Sequence, residues 1–246
     1  MSSETRGLSS ATLHILAMTF MLCDHVWSTL LPNYEILTCI GRLAYPLFAF
    51  MLVEGFFHTR DIKRYAMRMF AFAVVSEVPF DLVYAGIPFY PYHQNVLWTF
   101  LIALGIMFLM EKIKAKGKLW LTILVDALLV IAGFLVGMAT MVDYYGIGIL
   151  MVLVFYFFRG RKWWCFAGQL VCMWYLNVEV LGGYYYDITV LGHHIELVQQ
   201  SLALLTLIPI WLYRGKQGYH AKWFKYFCYA FYPGHLLLLY LIGVLL

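Results

Sequence analysis

Apolar runs recur along almost the whole chain, near positions 11–31, 36–57, 62–85, 95–111, 119–141, 144–158, 163–182, 195–213 and 226–246. A helix rising 1.5 Å per residue needs about 20 apolar residues to cross a bilayer, so the pattern predicts an all-α, polytopic transmembrane helical bundle of about nine spans. The sixth run is short, and Pro79 interrupts the third. Connections are brief, with no Pro-, Gly- or Ser-rich linker and no internal repeat of the kind that marks inverted-repeat transporters. Residues 1–246 therefore read as a single integral-membrane domain.

Composition agrees with the pattern: 63% of residues are hydrophobic and 12% charged, with a mean hydropathy of +0.79. Such a chain is not a soluble domain. Basic residues fall on alternate connections. Arg6 precedes span one; Arg60, Lys63, Arg64 and Arg68 follow span two; Lys112, Lys114, Lys116 and Lys118 follow span four. Arg159, Arg161 and Lys162 follow span six, and Arg214, Lys216, Lys222 and Lys225 follow span eight. Because Lys and Arg are retained on the cytoplasmic side, the expected topology has a cytoplasmic N-terminus and an extracytoplasmic C-terminus. The net charge of +4 thus describes cytoplasmic loops, and no nucleic-acid partner is expected. The six-residue leader before a span-length helix reads as an uncleaved start, and the plasma membrane of a cell without organelles is the expected location.

Aromatic clusters at Tyr90-Pro91-Tyr92, Tyr184-Tyr185-Tyr186 and Trp163-Trp164 fit interfacial belts. The five cysteines lack metal-finger spacing and read as small core residues; the alternative is a Cys23–Cys39 disulfide on the outer side.

Polar residues inside the runs carry the candidate chemistry, since an ionisable group at membrane depth is costly unless paired or used. Asp24 and His25 sit side by side in span one. Asp24 either anchors a neighbouring helix by a buried hydrogen bond or belongs to a reactive dyad with His25. Arg42 is the basic residue that topology puts near the outer side, where it either snorkels to the headgroups or pairs a carboxylate or anionic substrate. Glu77 and Asp81 are one turn apart on span three, around Pro79. They are a wet vestibule pair, or a drier pair in which one is protonated or Arg42 neutralises both. His93, Gln94 and Asn95 lead into span four, Asp143 precedes span six, and Glu179 lies in span seven. His235 lies deep in span nine, in Tyr232-Pro233-Gly234-His235, whose disturbed backbone suits a protein-lined or wet cavity. On the cytoplasmic side Asp126 faces the same cost of burial, and Glu54 and His58 are expected to pair with Arg60 or Arg64 or to face a phosphorylated ligand. The His193-His194-Ile195-Glu196 spacing resembles metal ligands only loosely, and no metal is expected.

These motifs, taken in order, resemble the TraX family. The resemblance rests on Cys23-Asp24-His25, Gly41-Arg42 through Pro46 to Phe50, Glu54-Gly55-Phe56-Phe57-His58-Thr59-Arg60 with Tyr65 and Arg68, Ser76-Glu77 with Pro79-Phe80-Asp81, Gln94-Asn95-Val96, Asp143 with Gly146, and Phe231 to Leu236. It implies a membrane-embedded acyltransferase related to pilin N-acetylation. Acetyl-CoA would be the cytoplasmic donor, and the acceptor an amine or hydroxyl on an extracytoplasmic peptide, glycan or lipid. On that implication Arg60, Lys63, Arg64 and Arg68 hold the CoA phosphates. His25 is the general base, oriented by Asp24 or Glu77, while Arg42, Asn95 or His235 stabilises the oxyanion and Asp81, Asn95 and Asp143 meet the acceptor. The rival class is a proton-coupled transporter or flippase that uses Asp24, His25, Glu77 and His235 as a relay.

Overall fold

The computed structural model describes residues 7–190, 192–219 and 221–246, apart from the side chains at 188, 190, 193 and 195. Arg6 and the leader lie outside the described residues. The chain is overwhelmingly helical: α1 (Ser10–Thr29), α2 (Ile36–Gly41), α3 (Ala44–His58), α4 (Ile62–Ala85), α5 (Val96–Lys114), α6 (Leu119–Ala139), α7 (Tyr145–Phe157), α8 (Trp163–Trp174), α9 (Leu207–Leu212) and α10 (Lys222–Leu245).

Among the described residues four helical stretches are long and apolar enough to cross a membrane: Ile36–His58, Val96–Lys114, Leu119–Ala139 and Lys222–Leu245. The protein is thus a helical membrane protein. α6 shows why such a chain needs lipid. Apart from Thr122 and Asp126 it is apolar, and Ile123, Leu128, Ile131 and Leu135 are each more than half exposed. α7 is the opposite case, with Ile149, Met151 and Val152 fully enclosed.

One region departs from the expected helices. Span eight was to begin near 195, but Tyr185–Val190 and His193–Val198 pair as an antiparallel hairpin, β1 and β2, with Tyr185 opposite Val198 and Val190 opposite His193. Five of the six β1 residues are β-branched or aromatic, and Gly192 is at positive φ in the turn, features that favour strands over helix. After β2 the backbone continues as a 3₁₀ segment, Gln199–Thr206, into α9. α8 likewise loosens into a π-helical stretch, Tyr175–Leu181. The loose metal-ligand spacing falls on this hairpin, where the side chain of His193 lies outside the described residues.

The chain forms two compact units. The first contains the residues up to Met51 and Arg161–Phe231; the second contains Leu52–Gly160 and Tyr232–Leu246. In the first unit, Trp211 donates to Gln169 at 2.7 Å, binding α9 to α8, and Gln200 donates to Asn177 at 3.1 Å, binding the segment before α9 to the extension of α8. The hairpin is tethered through the Tyr186 hydroxyl, which accepts from Gln199 at 3.1 Å and meets the Cys39 thiol at 3.6 Å. Burial, with the Cys39 thiol and the Glu35 carboxylate beside it, holds the Tyr186 phenol well above its ordinary pKa. Cys39 is therefore a free thiol tied to the hairpin; Cys23 is free as well, so the alternative disulfide does not form.

In the second unit α5, α6 and α7 pack closely. Gly137 and Gly146 let α6 and α7 touch, for a Cβ on Gly137 would strike the Gly146 backbone.

Candidate functional site

Each unit gathers part of the expected polar set. In the first, the Asp24 carboxylate on α1 faces α2. Its Oδ1 accepts the Arg42 guanidinium at 2.5 Å and the Thr38 hydroxyl at 2.8 Å, and Arg42 also donates to the Thr38 hydroxyl at 3.1 Å. The approach depends on Gly41, where any Cβ would overlap Asp24. Arg42 has thus found its carboxylate, and Asp24 is occupied as a helix-to-helix anchor. His25 is half-buried on the same helix, next to that anchor.

In the second unit Glu77, Asp81, Asn95, Asp143 and His235 come to one region with neighbours from α4, α5 and α10. Asn95, fully buried, organises it. Its side-chain oxygen caps α5 by accepting from Leu97 N at 3.0 Å, while its amide donates to the Ala73 carbonyl at 2.9 Å and to Glu77 Oε2. Both amide hydrogens are spent, which makes Asn95 a holder of Glu77. The same Glu77 oxygen accepts from Trp98 Nε1 at 2.8 Å. Glu77 Oε1 is buried and has no partner. A turn later Asp81, only 1% exposed, accepts from Tyr90 N at 2.8 Å through Oδ2, while Oδ1 is unpartnered. Ser76 Oγ is a third buried atom with an open valence.

Two loops close on this patch. Gln94 N donates to the Met141 carbonyl and Asp143 N to the Gln94 carbonyl, each at 2.9 Å, clamping the loop before α5 to the loop before α7. Thr99 adds a 2.7 Å bond to the Asp143 carbonyl. The clamp brings His93 Nε2 to 3.7 Å from Asp143 Oδ1. Asp143 is flanked by Met141, Tyr144 and Tyr145, all at positive φ, a conformation that costs non-glycine residues about 1–3 kcal/mol apiece and concentrates at functional sites. From α10, Tyr232 is buried against the Val96 backbone within electrostatic reach of Glu77 and Asp143, and the buried His235 ring lies 5.9 Å from the Tyr232 ring.

His93 and Tyr232 complete the patch although neither carried an assigned role in the sequence. Their signal was adjacency: His93 precedes Gln94-Asn95, and Tyr232 lies in the motif ending at His235. Among the described residues no lysine or arginine pairs with Glu77, Asp81 or Asp143, so the patch is rich in acceptors and poor in donors.

The basic residues occupy the other end of α4. Arg60, Lys63 and Arg64 are exposed, and Arg64 leans on the helix-capping Asp61 at 3.0 Å. Arg68 is half-buried with an unpartnered Nε. About 25 Å of helix separates Arg64 from Asp81. Glu54 pairs with neither Arg60 nor Arg64, contrary to expectation. Arg159 takes it at 2.7 Å and lies over the Phe57 ring at 4.4 Å, because Glu54 and Phe57 share one face of α3.

Comparison with known proteins fits this arrangement of motifs. The family model described as TraX protein matches residues 9–243. A Dichelobacter nodosus protein named probable fimbrial assembly protein FimC, serogroup H1, is 28% identical over 254 aligned positions, which cover 96% of this chain and 96% of the relative. No solved structure matches the chain.

Proposed function

The chain belongs to the TraX family, and from that premise we propose that it is a multi-pass plasma-membrane acetyltransferase. It takes the acetyl group of cytoplasmic acetyl-CoA and delivers it to an amine or hydroxyl at the outer side, on a pilin-like or fimbrial peptide, a surface glycan or a lipid. The relative named as a fimbrial assembly protein favours the peptide. About nine spans, N-terminus inside, remain the topology this reading uses.

The observation that carries the proposal is the buried carboxylate patch of the second unit. Glu77 Oε1, Asp81 Oδ1 and Ser76 Oγ are enclosed without partners. A purely structural patch would satisfy such atoms, since each open valence costs about 1–3 kcal/mol. An acceptor that brings N–H or O–H donors would satisfy them.

Within this reading His25 is a general base, and Asp24 and Arg42 position it by locking α1 onto α2. Glu77, Asp81 and Asp143 receive the acceptor's donors, and Asn95 keeps Glu77 in place. His235 is the group assigned to the developing oxyanion. Arg60, Lys63, Arg64 and Arg68 supply charge-assisted contacts to the CoA phosphates.

The test is incubation of purified protein with acetyl-labelled acetyl-CoA and a peptide bearing a free N-terminus. Label on the peptide supports the transferase. Translocation of a substrate without consumption of acetyl-CoA would replace it with a transporter.

A further inference from the structure

His93 holds a position that structure alone does not reward. Its ring stacks on Tyr84, with centroids 4.5 Å apart, and on Phe80, at 5.4 Å. One nitrogen, Nε2, faces the Asp143 carboxylate at 3.7 Å. The other, Nδ1, is buried with no partner, and the side chain is 12% exposed. For stacking alone phenylalanine would serve without leaving a polar atom unsatisfied. Beside the ring, on α4, Asp81 offers an equally unpartnered Oδ1 from a side chain that is almost wholly enclosed. The titratable groups facing His93 are Asp81 and Tyr84 from α4, with Tyr90 against the Tyr84 ring, and Asp143 and Tyr145 from the loop and helix start opposite. None of them is cationic.

An imidazole with one nitrogen facing a carboxylate and the other without a partner is placed to accept a proton. We propose that His93, positioned by Asp143, removes the first proton from an ammonium acceptor; this rests on the transferase reading above. Chemistry supplies the reason for an imidazole in this acceptor-rich patch. A hydroxyl gives up one proton during acyl transfer, and one base suffices. An ammonium gives up two. In the first step the ammonium N–H bond breaks, an Nδ1–H bond forms, and the charge moves to the ring opposite Asp143. The freed amine then bonds to the thioester carbonyl carbon and the C–S bond breaks. The amine's second proton passes to the leaving CoA sulfur, and His93 returns the first proton to water. The acceptor oxygens of Glu77 and Asp81 suit the ammonium before it reacts.

The experiment measures kcat/KM for acetyl transfer to a free-N-terminus peptide from about pH 6 to about pH 9, for wild type, His93→Gln and His93→Phe, the last of which keeps the ring stack. Near pH 6 both variants should lose about 100-fold. The deficit should shrink to a few-fold near pH 9, because a free α-amino group titrates at about 7.7–8.0 and no longer needs His93. Asp143→Asn should show the same narrowing with a smaller loss. Wild-type transfer together with an unimpaired His93 variant near pH 6, or with a loss equal at every pH, would overturn this inference and leave the transferase standing. A wild-type protein that transfers nothing at any pH would overturn both.

Discussion

Arg42 Nη2 lies 2.5 Å from Asp24 Oδ1, so the carboxylate of the first apolar helix is neutralised by a cation from the second helix. Both side chains are only partly enclosed, at 19% and 25% exposure, and Thr38 bonds to each of them. Asp24→Asn or Arg42→Gln should each cost about 2 kcal/mol, since either leaves a partly desolvated charge without its partner. The double variant should recover much of that loss. Thermal melts of the detergent-purified proteins give the coupling directly, and losses that simply add would show the pair to be incidental.

Gly41 and Gly105 make a controlled comparison. A methyl group at Gly41 meets Asp24, whereas nothing lies within 4 Å of one at Gly105. Gly41→Ala should destabilise by about 1–3 kcal/mol through overpacking, and Gly105→Ala, in the middle of α5, should stabilise by about 0.5–1 kcal/mol. Opposite shifts in melting temperature are expected; matching shifts would contradict the packing at Gly41.

Asn95 joins α4 to α5 through two hydrogen bonds from its amide and caps α5 with a third. Asn95→Ala removes the cap, worth about 1 kcal/mol, and strips Glu77 of a donor. Melts should show a total loss of about 2–3 kcal/mol, and transfer activity should fall further than the melting shift explains. Unchanged stability would mean that Glu77 is held by other contacts.

At the cytoplasmic end, charges of the same type should behave differently. Arg60→Gln with Arg64→Gln should raise the KM for acetyl-CoA about tenfold, some 1.4 kcal/mol of binding, and leave kcat nearly unchanged. Arg159→Ala should instead lower stability, because Glu54 then loses its 2.7 Å partner. A kinetic screen run beside thermal melts separates the two. Equal effects on KM would move the donor site toward Arg159.

Much of the fold was legible because lipid demands long apolar runs. The expected spans at 62–85, 119–141 and 144–158 fall on α4, α6 and α7 within two residues at each end. The hairpin at 185–198 was masked because its alternating residues are still mostly apolar, and a hydropathy window cannot separate a buried helix from a strand pair. Glu77 and Asp81 were legible as a pair because their spacing is local. His93 and Asp143 were not, since a backbone clamp between two loops unites residues 50 positions apart, and no periodicity encodes it. The partner of Arg42 was equally hidden: topology gave its depth, and only the close approach at Gly41 selects Asp24.

Sided transfer is the most direct test of the central claim. Protein is reconstituted into sealed vesicles with acetyl-labelled acetyl-CoA on the face bearing Arg60 and Arg64 and a free-N-terminus peptide on the other, for wild type and His25→Ala. The account predicts labelled peptide on the far side with wild type, and a loss of about 1,000-fold with His25→Ala at an unchanged melting temperature. Intact vesicles in which acetyl-CoA is never consumed, or a His25→Ala protein as active as wild type, would contradict it.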